Sequence, residues 1–297
     1  MKRQIHLNLF IYARGHHEAA WRHSKAPDRS LMDIHHYVVC ARKAEAACFD
    51  SSFIADVLNL PPDADASARI WLEPLTTLSA LAMATSRIGL IGTASTTHTE
   101  PFNLARQFAS LDHISSGRAA WNIVTSFSAA GSRNFDSSGR LPHADRYARG
   151  DEFVEVVKKL WDSWSDDAVV DDREAGTFYV KERVCPIDHD GDYYHIAGPL
   201  NLPRPPQGRP VIVQAGSSEA GKDFAAKHAE AVFTAHMHQS TAQAFYGDLK
   251  RRVGAADRRP DQCLVLPGIS VMIAGTEAEA KRMEAELNEM SDVATGL

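Results

Sequence analysis

Strand-like and helix-like segments alternate along almost the whole chain, and this alternation restricts the fold more than any other feature. "IHLNLF" (5–10) precedes a helical pattern at about 33–48, and "FDSSFIAD" (49–56) precedes a helix starting near Pro74. "RIGLIGTAST" (87–96) leads to a helix from Pro101 to Ile114, and "RAAWNIVTS" (118–126) to one over 146–164. "PVIVQAG" (210–216) and "AEAVFTA" (229–235) precede helices at 218–228 and 240–253. "CLVLPGISVMIAG" (263–275) then leads to a helix over 276–290. A parallel neighbour can be reached only by a long crossover, so strict alternation argues for a parallel sheet with covering helices. There are seven such βα units in the sequence. A closed (β/α)8 barrel uses eight. The pattern therefore points to a barrel one unit short, with a doubly wound open sheet as the alternative. No G-x-G-x-x-G follows the first strand to favour the latter.

The helix over 146–164 has the clearest face, with Phe153, Val154, Val157, Leu160, Trp161 and Trp164 on one side and Asp145 placed to cap it. Gly150 inside it should cost about 1 kcal/mol relative to Ala. The segment 165–209, rich in Asp, Gly and Pro, reads as an insertion of loops and short strands into one barrel domain spanning 1–297.

Composition bounds the function. A chain of 297 residues with 44% hydrophobic residues and a net charge of −6 has no basic stripe for nucleic acid. No apolar run reaches the roughly 18–20 residues that span a bilayer. "MKRQIHLNLFIYA" is interrupted by His6 and Asn8 and reads as a strand, so the expected location is cytoplasmic. Four cysteines without C-x-x-C spacing point to neither a disulfide framework nor a zinc site.

In either α/β architecture ligands sit where strands end and helices begin. Those junctions hold Asp56, Thr93, Asn122, Ser126, Gln214, Ser217 and several histidines, a set suited to hydrogen bonding a neutral ligand with many polar edges. Ser217 and Ser218 precede a helix whose free N–H groups and dipole favour a phosphate, although on this feature alone an ordinary serine cap is the favoured reading. "LPHADRYARGDEF" sets His143 just before a helix and Tyr147 one turn later. "GHHEAAWRH" crowds His16, His17, Glu18 and His23 without H-E-x-x-H order, which favours a pocket or surface loop over a metal. His236 and His238 follow another strand end, and no G-x-S-x-G or Walker A loop is present.

"SSFIADVL", "GTASTTHTEPFNLARQFASLDHISSGRAAWNIVTS", "HADRYARGDEFVEVVKKLWDSW" and "GRPVIVQAGSSEAGKDFAAKHAEAVFTA" together resemble the bacterial-luciferase-like flavin monooxygenases. Within them the resemblance is to the nitrilotriacetate monooxygenase component A group, and it covers nearly the whole chain. It implies a luciferase-like (β/α)8 barrel, here without its last βα unit. It also implies reduced FMN supplied by a separate NAD(P)H-dependent flavin reductase, and oxygenation of a small organic substrate by O2 through a C4a-(hydro)peroxyflavin. A homodimer or homotetramer is the assembly it implies. By position it assigns Asp56, Thr93, His143, Tyr147 and Ser217 to FMN, with Asn122 and Ser218 beside them, and His17 and His143 as candidate proton donors or substrate contacts. A deazaflavin-dependent oxidoreductase and a non-catalytic flavin-binding chain are the rival readings. His98 stands where relatives vary, so the resemblance leaves the substrate open.

Overall fold

The structure, a computed structural model, describes residues 4–12, 14–26, 28, 30–60, 68, 70–125, 128–135 and 143–291, with side chains of 129, 143 and 144 excepted. The elements in chain order are β1 (Asn8–Phe10), α1 (Ile34–Ala46), β2 (Ser51–Ile54), α2 (Pro74–Ala84), β3 (Gly89–Ser95), α3 (Pro101–Ser115), β4 (Ala119–Val124), α4 (Ala129–Ser132) and α5 (His143–Trp161). Two short ribbons follow, β5 (Val169–Asp172) with β6 (Thr177–Tyr179) and β7 (His189–Asp190) with β8 (His195–Ile196). The chain then continues through β9 (Val211–Gln214), α6 (Glu219–His228), β10 (Ala231–Thr234), α7 (Gln239–Ala255), β11 (Leu264–Pro267) and α8 (Glu277–Met290).

Seven strands form one sheet in the order β1-β2-β3-β4-β9-β10-β11, each pair parallel. The sheet curls into a nearly closed barrel rather than opening flat. Phe10 of β1 meets Phe233 of β10 at a ring separation of 6.1 Å. Across the remaining gap, the loop after β1 reaches α8: Arg22 donates to the Met290 carbonyl and His17 bonds Asn288 at 3.1 Å.

Alternation along each strand sorts side chains between the interior and the helical layer. Phe53, Ile91, Ala120, Val213 and Ala231 pack inside, with Phe10 and Leu266 against them. Their sequence neighbours turn outward. Trp121, fully buried, meets Phe108 of α3 and Phe153 and Trp161 of α5. Truncating a tryptophan buried in this way typically costs about 3–5 kcal/mol. Gly150 has a packing reason: a Cβ there would meet Thr125 Cγ2 at 3.2 Å and Thr96 Oγ1 at 3.4 Å.

Helix starts follow local chemistry. Pro74 opens α2 behind Glu73, whose carboxylate accepts from the Leu75 and Thr76 amides, and Pro101 opens α3.

Some boundaries depart from the sequence reading. The fourth long helix, α5, begins at His143, which puts Asp145 in its first turn, and it stops at Trp161. Ser163 Oγ donates to the Leu160 carbonyl and accepts from Leu200 N, while Trp164 leaves the helix face and donates to the Leu200 carbonyl at 2.7 Å. The final strand is also shorter than the apolar run. Beyond Pro267 the partner strand β10 has ended, and Ile269, Val271 and Ile273 are exposed.

Candidate active site

The C-terminal ends of β2, β3, β4 and β9 carry most of the polar residues expected there. On β3, Thr93 lies two residues past the interior Ile91, and on β4 Asn122 lies two past the interior Ala120, so both face inward. They are register partners. Asn122 Nδ2 donates to Thr93 Oγ1 at 2.9 Å, and Thr93 Oγ1 donates to the Ile54 carbonyl at 3.0 Å. Asn122 Oδ1 is buried and has no partner among the described residues. A buried acceptor left open costs about 1–3 kcal/mol, so this oxygen is suited to a donor arriving with a ligand.

Asp56 follows β2, and burial pushes its carboxyl up to about 6, with Glu73 adding to the rise and the Val57 amide opposing it.

The second cluster joins α5 to α6. Ser218 caps α6, accepting from Gly221 N at 3.1 Å, and Tyr147 Oη lies 3.5 Å from Ser218 Oγ. Gly221 permits this approach, because a Cβ there would stand 3.0 Å from Tyr147 Oη. Ser217 is exposed just before the cap. The first amides of α6 and these hydroxyls together form a phosphate-compatible donor set. His143 is the first residue of α5, and its side chain and Ser126 lie outside the described residues.

The two histidines after β1 have different surroundings. His17 Nδ1 accepts from Ala19 N at 3.2 Å, so Nε2 carries the proton donated to Asn288 Oδ1. His16 instead packs on Phe10 at 4.5 Å and stacks on Tyr12 at 5.0 Å. Its ring is reached by solvent yet walled by protein, as in a concave site, and burial lowers its pKa. Phe10 also touches Phe53 at 4.7 Å, and Tyr12 touches Trp71 at 5.2 Å. These rings, with Phe233, make an aromatic wall that runs from β10 past β1 to β2.

Sequence reasoning did not anticipate that wall, since its rings come from four separate segments. Nor did it find Arg149, which donates to the Thr97 carbonyl at 3.1 Å and lies over Tyr194. Beside it His98 stacks on Phe135 at 4.5 Å, its pKa lowered by burial and by the Arg149 charge.

Among the described residues no three His, Cys, Asp or Glu side chains converge to hold a metal, and no helix is long and apolar enough to cross a membrane. The donor set fits a flavin mononucleotide: an open amide oxygen beside a hydroxyl suits the polar edge of its ring, and the α6 terminus suits its phosphate.

Fold and site thus define a parallel α/β barrel with an open amide oxygen and a phosphate-compatible helix start at its mouth. A family model described as luciferase-like monooxygenase matches residues 9–291, and the chain belongs to that family. It is 46% identical to the N-acetyl-S-(2-succino)cysteine monooxygenase of Bacillus subtilis (strain 168), over 100% of this chain and 67% of the relative. It is 45% identical to nitrilotriacetate monooxygenase component A of Aminobacter aminovorans, over 94% of this chain and 64% of the relative. The chain therefore spans about two thirds of the length of these relatives. Among solved structures, a long-chain alkane monooxygenase superposes with a TM-score of 0.93 at 35% identity, covering 98% of this chain and 70% of that one. A riboflavin lyase holding modified FMN and riboflavin superposes with a TM-score of 0.89 at 31% identity, covering 98% and 67%. The relatives are named as monooxygenases and one of the superposed structures holds modified FMN, so the deazaflavin reading is not favoured.

Proposed function

We propose that this chain is the oxygenating component of a two-component monooxygenase, taking reduced FMN from a separate NAD(P)H-dependent flavin reductase and transferring one atom of O2 to a small organic substrate. The observation that carries the reading is the pairing of Thr93 with Asn122, whose open oxygen faces the interior, together with the Tyr147–Ser218 cluster at the start of α6. FMN, when bound reduced, supplies the oxygen-activating chemistry. The chain binds, orients and dries it. Thr93 and Asn122 hold the ring edge, Tyr147, Ser217 and Ser218 the phosphate, and Asp56 and His143 complete the cofactor contacts. His17, with both ring nitrogens engaged, fixes the β1 loop on α8 and so orients His16, which we assign to the substrate side. The aromatic wall receives the apolar body of the substrate and excludes water. The enzyme is assigned to the cytoplasm as a homodimer or homotetramer, each chain one barrel domain over 1–297 with its insertion at 165–209.

An anaerobic titration with reduced FMN tests this, followed by oxygenated buffer and a panel of sulfides, amines and alkanes analysed by mass. Saturable binding and a product heavier by one oxygen atom are expected. Failure to bind reduced FMN would sink the assignment.

A further inference from the structure

At the end of the barrel opposite the candidate active site, a cavity of about 360 Å3 opens between the C-terminal ends of α5 and α6 and the segment entering β9. Its walls carry five cations, Lys158, Arg204, Arg209, Lys227 and Arg258, against one carboxylate, Glu230. Glu230 is already engaged by the Ile212 amide at 2.9 Å.

The other carboxylates that touch these cations stand behind them. Asp162 pairs with Arg204 and Arg209, Asp166 lies 3.2 Å from Arg204, Asp151 pairs with Lys227, and Glu155 lies 3.7 Å from Lys158. None of these four lines the cavity. Arg258 donates to the Ala226 and Gln262 carbonyls at 2.9 and 3.0 Å. At the back, buried His228 accepts from Lys158 Nζ at 2.9 Å and donates to Asp151 at 2.6 Å.

Cations at the ends of helices offset the helix dipole, which accounts for Lys158 and Lys227. Arg258, arriving from beyond α7, likewise meets an end carbonyl of α6 at Ala226, but Arg204 and Arg209, from the segment entering β9, are not explained in this way. Burial above all, opposed by Glu155 and reinforced by the Arg209 and Arg258 charges, disfavours the charge on Lys158.

We propose that this cavity binds a small, multiply charged oxyanion, a phosphoryl group or a polycarboxylate, at a site separate from the barrel mouth. Guanidinium forks and a partly desolvated ammonium are the groups that recognise such oxygens.

The test is calorimetric titration of the full chain at low ionic strength with inorganic phosphate and, separately, with citrate. Saturable binding is expected for at least one, weakened tenfold or more by Arg258→Gln. The stronger of the two probes identifies the oxyanion. Absence of saturable binding overturns the proposal. So does binding lost in Ser218→Ala and kept in Arg258→Gln, which would put the anion at the start of α6. Should Arg258→Gln fail to fold, by circular dichroism, the half-exposed Lys227→Gln takes its place with a loss of at least threefold expected, and unchanged binding there is equally decisive against the site.

Discussion

Asn122 donates to Thr93 across the β3–β4 register at 2.9 Å, and Thr93 donates in turn to the Ile54 carbonyl of β2 at 3.0 Å. Three adjacent strands are thereby tied by side chains at the barrel mouth, with both rotamers fixed before any ligand arrives. The amide oxygen is left as the open acceptor.

Two substitutions separate the structural role of this pair from its binding role. Thr93→Val keeps the shape but strands the Asn122 amide, so stability should fall by about 1–3 kcal/mol. Asn122→Leu removes both buried polar ends and should leave stability nearly unchanged. Each should weaken reduced FMN about tenfold, about 1.4 kcal/mol. Urea unfolding alongside anaerobic flavin titration reads both effects. Full FMN affinity in Asn122→Leu would remove this pair from the cofactor site.

The phosphate cluster makes a different prediction. Ser218→Ala removes the α6 cap and should cost about 1 kcal/mol of stability. Tyr147→Phe removes the hydroxyl that lies 3.5 Å from Ser218 Oγ. Both should weaken FMN while leaving riboflavin, which lacks the phosphate, bound as before. Equal loss for the two flavins would mean that the cluster supports the ring instead.

These sites show what could be read from residues alone. The alternation gave away the parallel sheet because hydrophobic period is a local property. Thr93 and Asn122 were each visible at a strand end. Their contact was not, since it joins residues 29 apart and depends on register. His16 and His17 are adjacent, with identical side chains, and only the packing of Phe10 and the reach of Asn288 distinguish them. Trp164 fitted the helical face by spacing, yet the Ser163 hydroxyl and the Leu200 carbonyl draw the chain out of the helix. The wall of Phe10, Phe53 and Phe233 was hidden because its members meet only when the sheet curls.

Asp56 should leave a mark on pH dependence. Its carboxyl is raised from 3.8 to about 6 by burial, so the native state holds this proton more tightly than the unfolded chain does. Its contribution is therefore full below about pH 4, declines as pH rises toward 6, and stays lost above that. Asp56→Asn should accordingly be more stable than the parent near pH 7.5, with the difference vanishing near pH 4. Denaturant midpoints across that range provide the check. A difference that does not vary with pH would contradict the buried acid.

His228 acts with the opposite sign. Burial and the neighbouring Lys158 charge hold its pKa below 6.5, against the pull of Asp151. The neutral ring belongs to the folded state, so its contribution is present above pH 6.5 and is lost as pH falls through the folded value. His228→Asn should flatten the fall in stability between pH 6.5 and 5, the window in which Asp56 acts in the other direction. Parallel stability curves for parent and variant there would show that the imidazole takes up its proton in the fold as it does in the unfolded chain, and a steeper fall in the variant would show that the ring is protonated in the fold.

Gly268 gives the sharpest probe of the aromatic wall. It follows β11 at a position where a Cβ would stand 2.9 Å from Phe233 Cε2 and 3.0 Å from Cζ. Its backbone lies outside the left-handed region, so Gly268→Ala acts by contact and not by strain. The half-buried Phe233 ring must then swing toward Phe10 and Phe53, its neighbours at 6.1 and 6.2 Å. Space on the substrate side should shrink while Thr93, Asn122, Tyr147 and Ser218 keep their contacts. The expected result is a KM raised severalfold for the oxygenated substrate with FMN affinity unchanged. Steady-state kinetics and flavin titration on the same preparation decide it: a loss confined to FMN would place the flavin ring, rather than the substrate, against Phe233.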